Sequence, residues 1–187
     1  MQCMQSAVDI TLPASKEELA KLKPGDAVYL YGTIYTMRDV GHQRCLAALN
    51  EEGKLPFGLE GQALFYAGPT PPRVGRPLGA IGPTTAARMD KATPTLLKAG
   101  IILTLGKGRR SVEVAAACAA TGSVYLMAVG GAAAYLGSFV DKSELIAWED
   151  LGPEALLRLT LNGLPAFVGI DSRGAMEWRT GKVELRN

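Results

Sequence analysis

From Val114 to Val140 the chain carries no charged side chain, and this limits the folds open to it. An uncharged window of that length either crosses a bilayer or is buried inside a soluble fold. Its content decides between the two. Ala and Gly dominate where a membrane helix is rich in Leu, Ile and Phe, and "TGS" at 121–123 interrupts it with a turn signal. The expectation is a buried helix, a turn, a buried strand and a second helix of small residues, packed closely on a sheet, with no membrane involved.

The flanking sequence supplies the rest of that sheet. "DAVYLYGTIYTM" at 26–37 reads as a strand, rich in Val, Tyr, Ile and Thr. "RDVGHQRCLAALNEEG" at 38–53 reads as a helix with Cys45, Leu46 and Leu49 on one side, closing near Gly53. "ALFYAG" at 63–68 and "IILTLG" at 101–106 are apolar runs of strand length, and "TPPRVGRP" at 70–77 is a Pro/Gly/Arg-rich loop. Near the end, "ALLRLTLNGLPAFVGID" predicts a strand pair turning at Asn162-Gly163, a hairpin-favouring dipeptide. Strands and helices alternate through the middle and β structure dominates both ends. The fold class expected is therefore α/β, with a mixed central sheet flanked by helices. With 187 residues, 48% of them hydrophobic, the chain is long enough for one well-cored domain over 1–187 and short for two.

Several function classes recede on composition. A formal net charge of +2, without Lys/Arg clusters interleaved with aromatics, argues against a nucleic-acid partner. Cys3, Cys45 and Cys118 are far apart, odd in number and form no CxxC pair, which points to a reducing cytoplasm rather than a disulfide scaffold. "MQCMQSAVDITLPAS" lacks the basic and apolar regions of a signal peptide.

In α/β sheets, ligands collect where strands end and helices begin. Three segments fit that description: "TMRDVGHQR" at 36–44, "GPTTAARMD" at 82–90 and "LGKGRRS" at 105–111. Each brings a cation, Arg38, Arg88 or Lys107, to a Gly-containing junction. Each also has a plain reading. Lys107 can be a solvated lysine in a glycine turn, Arg38-Asp39 a local ion pair, and Thr84 or Thr85 an ordinary helix N-cap. His42, the sole histidine, can serve packing. A phosphate loop is excluded, because Ile101 stands where its first Gly should be and Gly108 follows the lysine. A dinucleotide fingerprint fails at Ser111. If a helix has begun at Gly82-Pro83, Thr84 and Thr85 lie at its N-terminus and Arg88 shares the face of Thr84.

Taken together, "TMRDVGH", "GPTTAARMD" and "GKG", with "FYAGP" at 65–69, "VGGAAA" at 129–134, "AWEDLGPEAL" at 147–156 and "PAFVGIDSRG" at 165–174, resemble the beta subunit, or C-terminal domain, of the iron–sulfur class I fumarase and tartrate dehydratase family. The resemblance runs from about Gly25 to Asp171. It implies a single swivelling β/α domain that closes over substrate held against a larger, cysteine-bearing alpha part. That part ligates a [4Fe–4S] cluster whose open iron acts as a Lewis acid on the departing hydroxyl. None of this chain's cysteines matches the family's cluster ligands, so the cofactor is expected on the alpha subunit, the partner without which this chain should have no hydratase activity.

The resemblance also gives roles. Arg38, Arg88 and Lys107 map onto substrate-binding positions, with Thr85 beside them, and Thr84 or His42 onto the proton-transfer group. A guanidinium can grip a carboxylate bidentately, and a C4-dicarboxylate presents two carboxylates. Thr84 needs a neighbour to activate it, whereas the unperturbed pKa of a histidine suits proton transfer better. Val40 and Gly41 stand where fumarases often carry alanines, while Met89-Asp90 leans towards the fumarases. The expectation is reversible hydration of fumarate to L-malate, with L-tartrate dehydration second and a non-catalytic dicarboxylate-binding or assembly domain third. The face meeting the alpha part should be apolar, so homo- or hetero-oligomers are expected.

Overall fold

The computed structural model describes residues 7–72 and 74–180; Cys3 lies outside them. In chain order the elements are β1 (Val8–Leu12), α1 (Lys16–Leu19), β2 (Ala27–Thr36), α2 (Asp39–Glu52), β3 (Ala63–Phe65), β4 (Ala67–Pro69), β5 (Ile81–Pro83), α3 (Thr93–Lys98), β6 (Leu103–Gly106), α4 (Val112–Thr121), β7 (Val124–Met127), α5 (Ala133–Gly137), β8 (Val140–Ala147), β9 (Leu156–Ile170) and α6 (Glu177–Thr180). Seven strands form one mixed sheet in the order β1-β2-β3-β6-β7-β9-β8. A further pairing of β2 with β9 joins β2, β3, β6, β7 and β9 into a closed ring. β1, β2, β3, β6 and β7 run parallel, and β9 runs antiparallel to β2, β7 and β8. The α/β class and the mixed central sheet are as expected.

Strand periodicity divides the buried side chains between two cores. Ala63, Phe65, Leu103, Leu105, Val124 and Leu126 belong to one, with residues of every strand in the ring. Leu64, Tyr66 and Tyr125 point the other way, into a core under α2, α3 and α4. α2 contributes Cys45, with Leu46 and Leu49 packed against the same cluster, and it ends at Gly53. The uncharged stretch is used as expected for α4 and β7. The second small-residue helix, however, is only Ala133–Gly137, because β8 begins at Val140. Among the described residues no helix is long and apolar enough to cross a membrane.

Two expectations are overturned. Asn162-Gly163 does not turn a hairpin: β9 runs unbroken through it, and the register against β2 shifts at Leu30/Tyr31, leaving Gly163 as a bulge with φ +78°. On one edge β9 pairs with β8 through Leu161, and beyond the bulge it pairs with β7 from Phe167. A bulge bends and twists a strand, which is what a strand needs when it passes from one neighbour to another and closes a ring. The second concerns Gly82-Pro83. No α-helix starts there; Ile81–Pro83 is a strand paired with β4, residues 86–89 form a 3-10 turn, and α3 begins only at Thr93. The α-helix N-terminus expected at Thr84 and Thr85 is therefore absent, and Thr85 only precedes the 3-10 turn, with no side-chain cap bond.

Candidate active site

The carboxyl ends of parallel strands are where α/β sheets bind ligands, and here they carry the motif residues. Arg38 follows β2, Tyr66 follows β3, Lys107 follows β6 and Gly130 follows β7. The 84–86 segment is laced into this edge by its main chain. Thr84 N–H donates to Tyr66 O at 2.6 Å, Lys107 N–H donates to Thr84 O at 3.0 Å, and Ala86 N–H donates to Lys107 O at 2.9 Å. Thr85 and Lys107 thus form a parallel bridge. Thr84, Thr85 and Lys107 are brought together by strand-like pairing, with no helix involved. The Lys107 stem crosses Gly130, where a Cβ would come within 3.0 Å of Lys107 Cδ.

Arg88 projects from the 3-10 turn and is half exposed. Its Nε donates to Asp39 Oδ1 at 2.9 Å and its Nη2 to Asp39 Oδ2 at 2.7 Å. Arg38, next to Asp39, does not pair with it. Arg38 crosses Gly68 of β4, where a Cβ would lie 3.0 Å from Nη1, and its Nη2 sits 3.4 Å from Glu154 Oε1. Gly68 is opposite Gly82 in the β4–β5 ribbon that delivers Thr84, so Arg38 lies over the approach to the threonines. The local Arg38-Asp39 pair considered from sequence is replaced by two pairs to distant partners.

His42 is 2% exposed. Its Nδ1 lies 2.8 Å from Arg38 O, and since a carbonyl only accepts, Nδ1 carries the proton. Its Nε2 is buried with no hydrogen-bond partner among the described residues. Burial pushes its pKa down to about 4, with the bond to Arg38 O partly opposing, so the ring is neutral near pH 7. The imidazole meets the Tyr66 ring edge-on at 5.1 Å.

Beneath the turn lies a polar cluster that the sequence did not announce. The Arg110 side chain is fully buried, with Nε 2.6 Å from Asp90 Oδ1 and Nη2 2.6 Å from Thr93 Oγ1. Its guanidinium lies over the rings of Tyr66 and Tyr125 at 5.2 and 4.9 Å. Burial opposes its charge, but Tyr66 and Asp90 outweigh burial and raise its pKa. Asp90 Oδ2 also accepts from Ser111 N–H, so the end of the 84–90 segment is tied to the start of α4. Glu154 and Arg110 are the residues sequence reasoning missed, and Asp39, read as a partner of Arg38, serves Arg88 instead. "RR" at 109–110 reads as solvated charge, and nothing local marks Arg110 as the buried member.

Nothing among the described residues fits an iron–sulfur cluster. They contain no group of three or more His, Cys, Asp or Glu able to hold a metal. Burial, helped by Glu60, lifts the Cys45 thiol to about 11; burial lifts that of Cys118 to about 12. A ligating cysteine must be a thiolate, which such surroundings disfavour.

A family model described as Fumarase C-terminus matches residues 2–181. The chain is 36% identical over 172 residues to "Fumarate hydratase class I, anaerobic" of Escherichia coli K12, covering 89% of this chain and 31% of that protein. With "Fumarate hydratase 1, mitochondrial" of Leishmania major it shares 36% identity over 165 residues, 87% of this chain and 30% of that one. With "L(+)-tartrate dehydratase subunit beta" of Escherichia coli K12 it shares 31% identity over 170 residues, 88% of this chain and 83% of that subunit. The chain thus spans about a third of the fumarate hydratases it matches and most of the tartrate dehydratase subunit.

Proposed function

The chain belongs to the Fumarase C-terminus family, and on that premise we propose that it is the beta subunit of a two-component hydro-lyase that hydrates fumarate reversibly to L-malate. The observation that carries the reading is the gathering of Arg38, Thr84, Thr85, Arg88 and Lys107 at one end of the sheet, at the carboxyl ends of β2 and β6 and on the 84–88 segment that follows the β4–β5 ribbon. Arg38, Arg88 and Lys107 bring three cations to that end, against the carboxylates of Asp39 and Glu154. Three cations against two carboxylates leave one positive charge in excess, which favours an anionic ligand.

Each residue then has its task. Arg38 and Arg88 grip the substrate carboxylates, where a planar guanidinium fixes angle as well as distance. Lys107 adds a point charge on a flexible stem. Removing a proton beside a carboxylate builds charge on that carboxylate, so donors held in place before the reaction stabilise the transition state more than the ground state. Thr84 is fixed in place through its main-chain N–H and C=O, and its hydroxyl is the proton-transfer group assigned, acting once a neighbouring base activates it. His42, sealed and with Nδ1 committed to Arg38 O, acts by holding the Arg38 backbone. The [4Fe–4S] cofactor is assigned to a cysteine-bearing alpha subunit, since Cys45 and Cys118 are unsuited to it. The domain taken as the unit of function is 1–187, in a cytoplasmic setting.

L-tartrate dehydration is the second reading. It is favoured by the beta subunit named for that activity, which is matched along most of its length. One hydroxyl separates the two substrates, so a few contacts decide. Anaerobic co-expression with the cysteine-bearing partner, followed by ultraviolet absorbance with fumarate, L-malate and L-tartrate supplied separately, tests this. Interconversion of fumarate and malate supports the first reading and consumption of L-tartrate alone the second. Turnover of none by a cluster-loaded complex leaves a dicarboxylate-binding or assembly domain.

A further inference from the structure

The two arginines of the proposed site are held very differently. Arg88 meets Asp39 along both edges of a fork, at 2.7 and 2.9 Å. Arg38 has one stretched contact, Nη2 to Glu154 Oε1 at 3.4 Å, and its Nε is buried with no hydrogen-bond partner among the described residues. The other oxygen of Glu154, Oε2, takes the N–H of Val40, again at 3.4 Å. One carboxylate therefore spans a guanidinium and a backbone N–H without closing tightly on either, although charge-assisted bonds of this kind settle near 2.7–2.9 Å.

The surroundings explain the stretch. Glu154 belongs to a segment, 148–154, laid along α2. Trp148 rests against Gly41, with a ring carbon 3.3 Å from where a Cβ would stand, and Asp150 forms an ion pair with Arg44. Those anchors set where the segment lies. Glu154 reaches Arg38 from its end, and the Ala155 carbonyl is held by Thr36 Oγ1 at 3.3 Å. The carboxylate is thus positioned by its tether, and it offers Arg38 a partner that a better-fitting carboxylate can displace.

We propose that Glu154 is a stand-in carboxylate that keeps Arg38 aligned in the free subunit and yields Arg38 and Val40 N–H to a substrate carboxylate, setting how tightly that carboxylate binds. The inference rests on the assignment of Arg38 to the substrate site. Glu154 is a positioning and affinity-determining residue that touches the ligand's partner and takes no part in proton transfer. Gln keeps the shape of Glu and leaves an acceptor for Val40 while removing the competing charge. E154Q should therefore strengthen binding of an external carboxylate. E149Q removes an exposed charge from the same segment without touching Arg38 or the Asp150–Arg44 anchor, so it controls for the general field.

The test titrates sodium formate into the full chain and follows the Val40 amide and the Arg38 Nε–H by NMR, for the wild type, E154Q and E149Q. KM and kcat for L-malate are measured in parallel on the assembled enzyme. E154Q should half-saturate at a formate concentration lower by about threefold or more, the scale of a partly exposed ion pair, and E149Q should match the wild type. In the assembly KM should fall by a similar factor with kcat nearly unchanged. Absence of a formate-dependent shift at Val40 in E154Q, or equal half-saturation in all three proteins, overturns the inference. Failure of the formate titration beside normal dicarboxylate turnover removes Glu154 while the proposed function stands; the reverse result keeps the carboxylate cradle and removes the proposed reaction.

Discussion

Arg88 and Asp39, 49 residues apart, form a two-point ion pair that joins the 3-10 turn to the first turn of α2. The pair links the segment bearing Thr84 to the one bearing Arg38. With the Arg88 side chain half exposed, it is a device for orientation more than for stability.

Asp39→Ala should consequently separate the two quantities. Loss of a surface pair of this kind costs about 1 kcal/mol or less. Released from its anchor, Arg88 samples other rotamers, and kcat/KM of the assembled enzyme should fall about tenfold or more. Thermal unfolding of the chain and steady-state kinetics of the assembly check the two halves.

His42 makes stability depend on acid. Its folded pKa of about 4 lies below the unfolded value of about 6.5, so the unfolded chain takes up a proton first as pH falls. The contribution is intact above about pH 6.5 and is lost between there and about pH 4, amounting to about 3 kcal/mol. His42→Asn, which keeps a donor for Arg38 O, should flatten that part of the curve. Denaturant unfolding at pH 7 and at pH 5 on both proteins measures it.

Arg110 and Asp90 are a mostly buried pair beneath the 3-10 turn, with side chains 0% and 18% exposed. Arg110→Met leaves Asp90 without its partner and should destabilise the chain by about 3 kcal/mol or more. Arg110→Lys keeps the charge but cannot fork to both Asp90 and Thr93, and should recover only part of the loss. Urea midpoints for the three proteins report the order expected, wild type, then Lys, then Met.

Cys45 and Cys118 should take no part in cluster binding. Both lie buried in the core under the helices, with their thiols held protonated at neutral pH. Cys45→Ser with Cys118→Ser should leave the iron content of the assembled enzyme unchanged, although the apolar sites lose some stability. Iron and sulfide analysis of the wild-type and doubly substituted complexes decides the point.

Much of the sheet was legible because β3, β6 and β7 are short apolar runs bounded by Gly and turn residues, and α2 shows its buried stripe at Cys45, Leu46 and Leu49. The edge strands were not. β8 carries Asp141, Lys142 and Glu144, charges that suit an unpaired sheet edge and hide the strand pattern. Asn162-Gly163 was misread because a dipeptide that tolerates positive φ serves a bulge as well as a turn, and only the neighbouring strands β7 and β8 settle which. At the site, the motifs led to Arg38, Thr84, Arg88 and Lys107, but the exchange of partners was invisible. Asp39 is adjacent to Arg38 in sequence and pairs instead with Arg88, because α2 turns its first carboxylate towards the 3-10 turn. Arg110 could not be told from Arg109 by any local signal, since its burial depends on Tyr66, Asp90 and Thr93 arriving from other elements.

On the function proposed, this chain supplies the groups that grip a C4-dicarboxylate for a partner-borne reaction centre. The most direct test is kcat/KM for fumarate hydration by the assembled, cluster-loaded enzyme carrying Arg88→Ala, with circular dichroism and subunit co-elution showing that fold and assembly survive. The expected loss is at least about a hundredfold, the scale of removing one preorganised charged donor from a developing negative charge. A kcat/KM equal to that of the wild type would count against the proposed function and remove Arg88 from the site.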